Sequence, residues 1–259
     1  MTELWLILRV ARNDFSYFFR TKWLMAVLLS LNLSDMLIVA LVYGRLITEI
    51  NYFQFFVPGV VIMGLFVAAL DTGRRIWLAI REGMLQYYLA LPISNEGIVI
   101  AYLLAGGSAA MVYSGSLLLI ALVVLPAQAI WNTLILLPFL FVLAMGLAGI
   151  AASLASLAST HGEYYFAYQQ IVQVLLLAFS TVFYPIDVVK QYLPSFMVAV
   201  VSANPLSQAA EAMRQYAFAG APIQPWALVT LLLSSIPLAV LGLVAYLTAI
   251  YAIRVKGKL

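Results

Sequence analysis

The sequence contains no cysteine and a single histidine. The first absence excludes disulfides and thiolate metal sites. The second, with only His161 present, leaves too few ligands for the usual zinc sites and too few partners for a His-based triad; beside Glu163 it reads as a polar loop residue. Charge is also scarce, with 9% of the residues being Asp, Glu, Lys or Arg against about 25% in an ordinary soluble domain. No G-x-x-x-x-G-K-[ST] phosphate loop occurs, so ATP binding of that kind is not expected in this chain. Asp71-Thr72-Gly73 matches the aspartic-protease triplet, but that chemistry needs two carboxylates sharing a proton and there is no second copy. With Arg74 and Arg75 following immediately, Asp71 reads as a charge paired to one of them. No catalytic residue, metal site or resident cofactor is expected, and a membrane-embedded enzyme is the least favoured class. The N-terminus does not read as a cleavable signal, because "LWLIL" supplies only five apolar residues before Arg9.

What remains is apolar. Of 259 residues 65% are hydrophobic, and the mean hydropathy is +1.06. At ~20 residues per helical span, the chain has room for about six spans in a single membrane domain, 1–259, and no sizeable soluble domain. The apolar runs cover 23–43, 53–73, 98–125, 130–158, 165–184 and 226–253. They are continuous rather than alternating and far longer than the ~10 residues of a barrel strand, so the expected fold is an all-α membrane protein with six transmembrane helices. The net charge of +3 concerns orientation and lipid headgroups, not nucleic acid. Ten of the 13 Lys and Arg residues precede the first run, lie between the second and third, or form the tail. All three segments fall on one side of a six-span protein, which makes both termini cytoplasmic.

Residues 3–20, "ELWLILRVARNDFSYFFR", place Arg9, Arg12, Ser16 and Arg20 on one helical face. Leu4, Ile7, Leu8, Ala11, Phe15, Phe18 and Phe19 lie largely opposite, the pattern of an amphipathic interfacial helix. In the fourth run Ala144, Ala148, Ala152 and Ser156 recur every four residues, a small-residue stripe that lets helix backbones approach. Asp35 lies mid-span, where a carboxylate costs about 2.5–3.5 kcal/mol on insertion scales. It must face the bundle interior or water, with Asn32 and Ser34 as polar neighbours; an interhelical hydrogen bond and a place on a transport pathway are both open.

Between the second and third runs lies "REGMLQYYLALPIS". Read as one helix it presents Ile76, Ile80, Met84, Tyr87 and Leu91 on one side. Gly83 disfavours a helix interior by about 1 kcal/mol, so two helices meeting there are the alternative, with Pro92 ending the second. Such a helix suits docking into a groove on a partner protein, or contact with lipid alone.

"REGMLQYYLALPISNEGIVIAYLLAG" resembles the cytoplasmic segment and following span of type-2 ATP-binding-cassette (ABC) exporter permeases, through Glu82, Gly83, Leu85, Leu89, Pro92 and Ser94. "FVPGVVIMGL" is similar to the start of that family's second span at Pro58 and Gly59. "VFYPIDVVKQYLP" and "NPLSQAAEAMRQ" resemble its extracellular re-entrant hairpin at Phe183, Pro185, Leu193, Pro194, Asn204, Pro205, Leu206 and Arg214. One position departs: Met84 stands where the family usually has Thr. The resemblance implies a permease subunit with a second permease copy, homodimeric or related. It implies a cytoplasmic ATPase docked on Glu82, Gly83, Met84, Leu85, Tyr88, Leu89 and Pro92, with ATP and magnesium on that partner. Asp35, Asn32, Phe183 and Tyr184 are the pathway candidates, for export of an amphiphile, drug or lipid-linked glycan across the cell membrane. The rival class is a partnerless channel or ion-coupled secondary transporter with Asp35 as its ion site.

Overall fold

The computed structural model describes residues 3–46, 51–125, 130–158 and 162–256, and every element among them is helical. His161 lies outside the described residues. The chain opens with α1 (Glu3–Arg20). The first apolar run follows as a rod of α2 (Lys22–Ser34), a π-helical turn π1 (Asp35–Val39) and α3 (Ala40–Leu46). Next come α4 (Tyr52–Arg81), the short α5 (Met84–Ala90), α6 (Asn95–Val124), α7 (Ile130–Leu157) and α8 (Gly162–Ala178). Three short helices, α9 (Ile186–Tyr192), α10 (Ser195–Ala203) and α11 (Pro205–Ala212), lead through a second π turn, π2 (Met213–Phe218), into α12 (Pro225–Lys256).

Among the described residues, five rods are long and apolar enough to cross a membrane: Met25–Leu46, Tyr52–Arg81, Asn95–Val124, Ile130–Leu157 and Pro225–Val255. The run expected at 165–184 is shorter as a helix. α8 has 17 residues, about 26 Å at 1.5 Å per residue, against a hydrocarbon core of about 30 Å. The Asn204 side-chain amide stops it, donating to the carbonyls of Leu176 at 2.8 Å and Phe179 at 2.6 Å that the helix end leaves unpaired. The second run is instead longer than expected, since α4 continues to Arg81 and takes Arg74 and Arg75 out of the loop.

α4 is buried along most of its length, with α6 and α7 against it and α12 against α7. The α7–α12 contact depends on missing side chains: a Cβ on Gly149 would sit 2.9 Å from the Gly242 Cα, and one on Gly242 would strike the Gly146 carbonyl. The small-residue stripe is a packing device, with Ala144, Ala148, Ala152 and Ser156 all buried.

α1 runs beside the first part of α6, from Glu3 at Ser94 to Phe18 at Tyr113, whose rings lie 6.5 Å apart. Its protein-facing stripe is Leu6, Val10 and Phe18, only the last of which lies in the apolar set read from sequence. Leu4, Trp5 and Leu8 are exposed, so α1 has three faces: one for the bundle, one apolar and outward, one basic. The stretch after α8 holds three helices and a π turn. Arg254 donates to Asn95 at 2.7 Å. The start of α1, the start of α6 and the end of α12 therefore meet at one end of the bundle, beside α5.

Two glycines separate close packing from open space. Gly242→Ala should force α7 and α12 apart and cost roughly 1–3 kcal/mol, seen as a lower melting temperature of the detergent-purified chain. Gly115, with nothing within 4 Å of an added Cβ, should tolerate Ala unchanged or gain up to about 1 kcal/mol from helix propensity.

Candidate functional site

Gly83 separates α4 from α5. Its φ of +75° lies in the left-handed region that only glycine adopts cheaply, so the chain turns sharply and α5 is a separate helix, the second of the two readings of this stretch. α5 has an inner and an outer face. Leu85 and Tyr88 are buried, Leu89 is half-buried, and Glu82, Gly83, Met84, Tyr87 and Pro92 are exposed. The inner face is bolted down: Asn13 of α1 donates to the Tyr88 hydroxyl at 2.6 Å, and the Tyr88 ring meets Tyr102 of α6 at 6.5 Å. Ser94 caps α6 by accepting from the Gly97 N–H at 3.0 Å. Its own N–H and hydroxyl donate to Glu3 at 3.0 and 2.6 Å, which holds the Glu3 carboxyl below its usual range.

One residue beyond Asn13, Asp14 enters a buried ion network. Its carboxylate accepts from Arg75 Nε, with oxygens at 3.2 and 3.1 Å. Arg75 also donates to Asp71 at 3.1 Å and Thr72 Oγ1 at 3.2 Å, and Arg74 donates to Asp71 at 2.6 Å. The Arg75 side chain is fully buried and that of Asp14 is 9% exposed. Burial raises the Asp14 carboxyl above its ordinary value, and the Arg75 guanidinium opposes the rise. The pairing expected of Asp71 therefore forms with both arginines, while Asp14, which carries the tertiary link, gave no signal beyond being an acid on a basic helix.

At the opposite end of α4, Arg214 gathers segments far apart in sequence. Its guanidinium donates to the carbonyls of Phe55 (2.7 Å), Thr181 (2.9 Å) and Val182 (3.1 Å), and to Glu211 at 2.8 Å. The Phe55 ring lies 3.7 Å from its Cζ. Gly59 makes room for this, because a Cβ there would sit 2.7 Å from the Val182 carbonyl oxygen. Asn204 caps α11 through the Leu206 N–H at 2.9 Å, and Ser207 Oγ accepts from Thr181 N–H at 2.9 Å. Around this clamp "FVPG", "VFYP" and "NPLSQ" are one structural unit.

Beside it opens a cavity of 730 Å³ between π1, the start of α4 and α9. Asp35, Tyr43, Tyr52, Phe183, Tyr184 and Asp187 are among its walls. Three of the four pathway candidates thus meet. Asn32 does not: it is buried and donates to Tyr113 at 2.8 Å and the Leu28 carbonyl at 2.9 Å, packing the first rod onto α6. Asp35 has no hydrogen-bond or ion-pair partner among the described residues, and the interhelical bond left open by the sequence is not formed within them.

The sequence profile of the ABC-2 type transporter family matches residues 6–218. The chain belongs to the ABC-2 type transporter family. No curated protein matches it. It is a multi-pass membrane protein and a permease subunit of an ABC transporter, of a family whose membrane domains work with a cytoplasmic ATPase subunit. The matched region takes in α5, the ion network and the Arg214 clamp, so these belong to the ABC-2 domain and not to an appendage.

In this ABC-2 permease, α1 is tied at neighbouring residues to α5 through Asn13 and to α4 through Asp14. Asp14→Ala should strand the buried Arg75 charge and cost about 3–5 kcal/mol, read as loss of thermal stability in detergent. Asp187→Ala, which breaks an exposed pair with Lys190, should cost at most about 1 kcal/mol. Equal effects from the two would show that the network does not hold α1 in place.

Proposed function

We propose that this permease is the pathway-forming subunit of an ABC exporter in the cell membrane, with both termini cytoplasmic and α8 as a sixth, short crossing. Two permease copies, identical or related, flank the pathway, and each docks a cytoplasmic ATPase that binds and hydrolyses ATP with magnesium. Cargo is an amphiphile, drug or lipid-linked glycan. Family membership favours this over the partnerless channel or ion-coupled transporter.

The observation that carries the reading is the two-sided α5. Its inner face, Leu85 and Tyr88, is committed to the chain's own core, while Glu82, Met84 and Tyr87 face outward at the end of the bundle where α1 begins and α12 ends. A helix held on one side and free on the other receives a partner without losing its place. A push on α5 passes through Tyr88 to Asn13, and from the adjacent Asp14 to Arg75 in α4. ATP-driven closure of the partners would bias the bundle between two arrangements by this route, a coupling free energy between sites. The α9–α11 stretch lies at the other end, on the external side, with α11 seated inside the bundle and α9 and α10 in the outer leaflet.

If α5 is the docking helix, Met84→Asp and Tyr87→Asp should abolish co-purification with the co-expressed ATPase, because an unpaired charge in a docking interface costs several kcal/mol. Insertion and melting temperature should be unchanged, whereas Leu85→Asp should lose the fold itself. Normal complex formation by both outer-face variants overturns the docking. Single cysteines at Val198 and Ala210 should both label slowly with a membrane-impermeant thiol reagent. Ala210 is fully buried by the chain, so fast labelling at Val198 alone would place α10 in water.

A further inference from the structure

We infer that the cavity beside Asp35 binds bulky organic cations with an apolar body, and that cargo of this class is what the permease selects. The transport half of the statement rests on the exporter reading; the binding half does not.

Asp35 sits on a π-helical turn in the first rod, and such turns widen a helix and recur where side chains are aimed at ligands. Its carboxylate is half-buried with no partner among the described residues, a costly arrangement at mid-span unless something positive completes it. The second acid on the cavity wall, Asp187, already has Lys190 at 3.3 Å, so the uncompensated charge is that of Asp35. Arg214 nearby is tied to Glu211 and three carbonyls and is not free to supply it.

The walls are aromatic. Tyr43 and Tyr52 rings lie 5.6 Å apart, Tyr52 and Phe56 5.5 Å, and Phe56 and Phe183 5.9 Å. Tyr52 donates its hydroxyl to the Phe183 carbonyl at 3.0 Å, which fixes the ring and leaves π surface rather than O–H for a ligand. Negative ring faces around one carboxylate attract a diffuse cation, and most strongly where water is excluded. The 730 Å³ volume is that of a drug-sized site. An anion would be repelled by the Asp35 carboxylate. The same onium chemistry belongs to a free lipophilic cation and to the choline headgroup of a lipid.

The test uses the full chain in uncharged detergent with two probes of matched shape and opposite charge, tetraphenylphosphonium and tetraphenylborate, in equilibrium dialysis against empty micelles. The cation should bind at least about tenfold more tightly than the anion. Asp35→Asn should lose that preference while leaving anion binding as it was, which shows the variant folded, and Asp35→Glu should restore it. Phe183→Leu, which keeps apolar bulk but removes the ring, should weaken the cation several-fold. Displacement by a short-chain phosphocholine identifies the headgroup as an occupant, and resistance to it identifies the free cation. Equal binding of the two ions, or an Asp35→Asn chain that keeps the preference, overturns the proposal. Because no ATPase enters the assay, a chain that binds the cation yet never assembles with one leaves the cavity standing and removes the exporter. A chain that assembles and transports but ignores charge does the reverse.

Discussion

A guanidinium cannot be deprotonated inside a protein, so a buried arginine dictates its surroundings: every donor needs an acceptor brought to it. This chain buries two, one near each end of α4. Arg75 collects Asp14, Asp71 and Thr72; Arg214 collects Glu211 and the carbonyls of Phe55, Thr181 and Val182. The first demand fixes where α1 lies, the second fixes the turn after α8 and the seat of α11. With both ends of the central helix so constrained, α6 and α7 pack along its length with small residues at the closest contacts.

The two clamps differ in kind, and the difference suits their positions. At Arg75 the partners are carboxylates, so the site is an ion network whose members sit on two helices. At Arg214 most partners are backbone carbonyls left free by a helix end and a turn. Carbonyl acceptors cannot move without the backbone, which makes that end a rigid frame for the cavity beside it. The Asp14 link is a pair of side chains one residue from the contact to α5, a connection able to carry displacement from α5 to the core.

Much of this was readable in advance. Five of the six apolar rods, the stop at Pro92, the pairing of Asp71 and the packing role of the Ala144–Ser156 stripe follow from local rules about length and side-chain size, and the break at Gly83 is one of two readings the sequence allows. The errors have physical causes. Hydropathy ends the second run at Gly73, where Arg74 and Arg75 begin, yet those charges are neutralised within the helix and by Asp14, and α4 continues to Arg81. The inward stripe of α1 leaves no two-sided pattern because a helix with three different neighbours, protein, lipid and water, does not divide into two halves. Nothing local shows that three carbonyls converge on Arg214. For α5 the expected docking set came from the family resemblance, which does not separate Met84 on the outer face from Leu85 and Tyr88 facing the chain's own core.

By itself the sequence determined the class: a nearly uncharged chain in a bilayer must satisfy its backbone internally, so long apolar runs can only be helices, and their order follows from the chain. Tertiary structure alone decided the chemistry of the few polar residues. Asp14 meets Arg75 across 61 residues and Arg214 meets the Phe55 carbonyl across 159; separations of that size leave no periodic trace. The same holds for Asp35, whose mid-span cost is legible from position, but whose place beside Tyr43, Tyr52 and Phe183, without an ion-pair partner among the described residues, exists only once π1, α4 and the 183–185 turn are brought together in space.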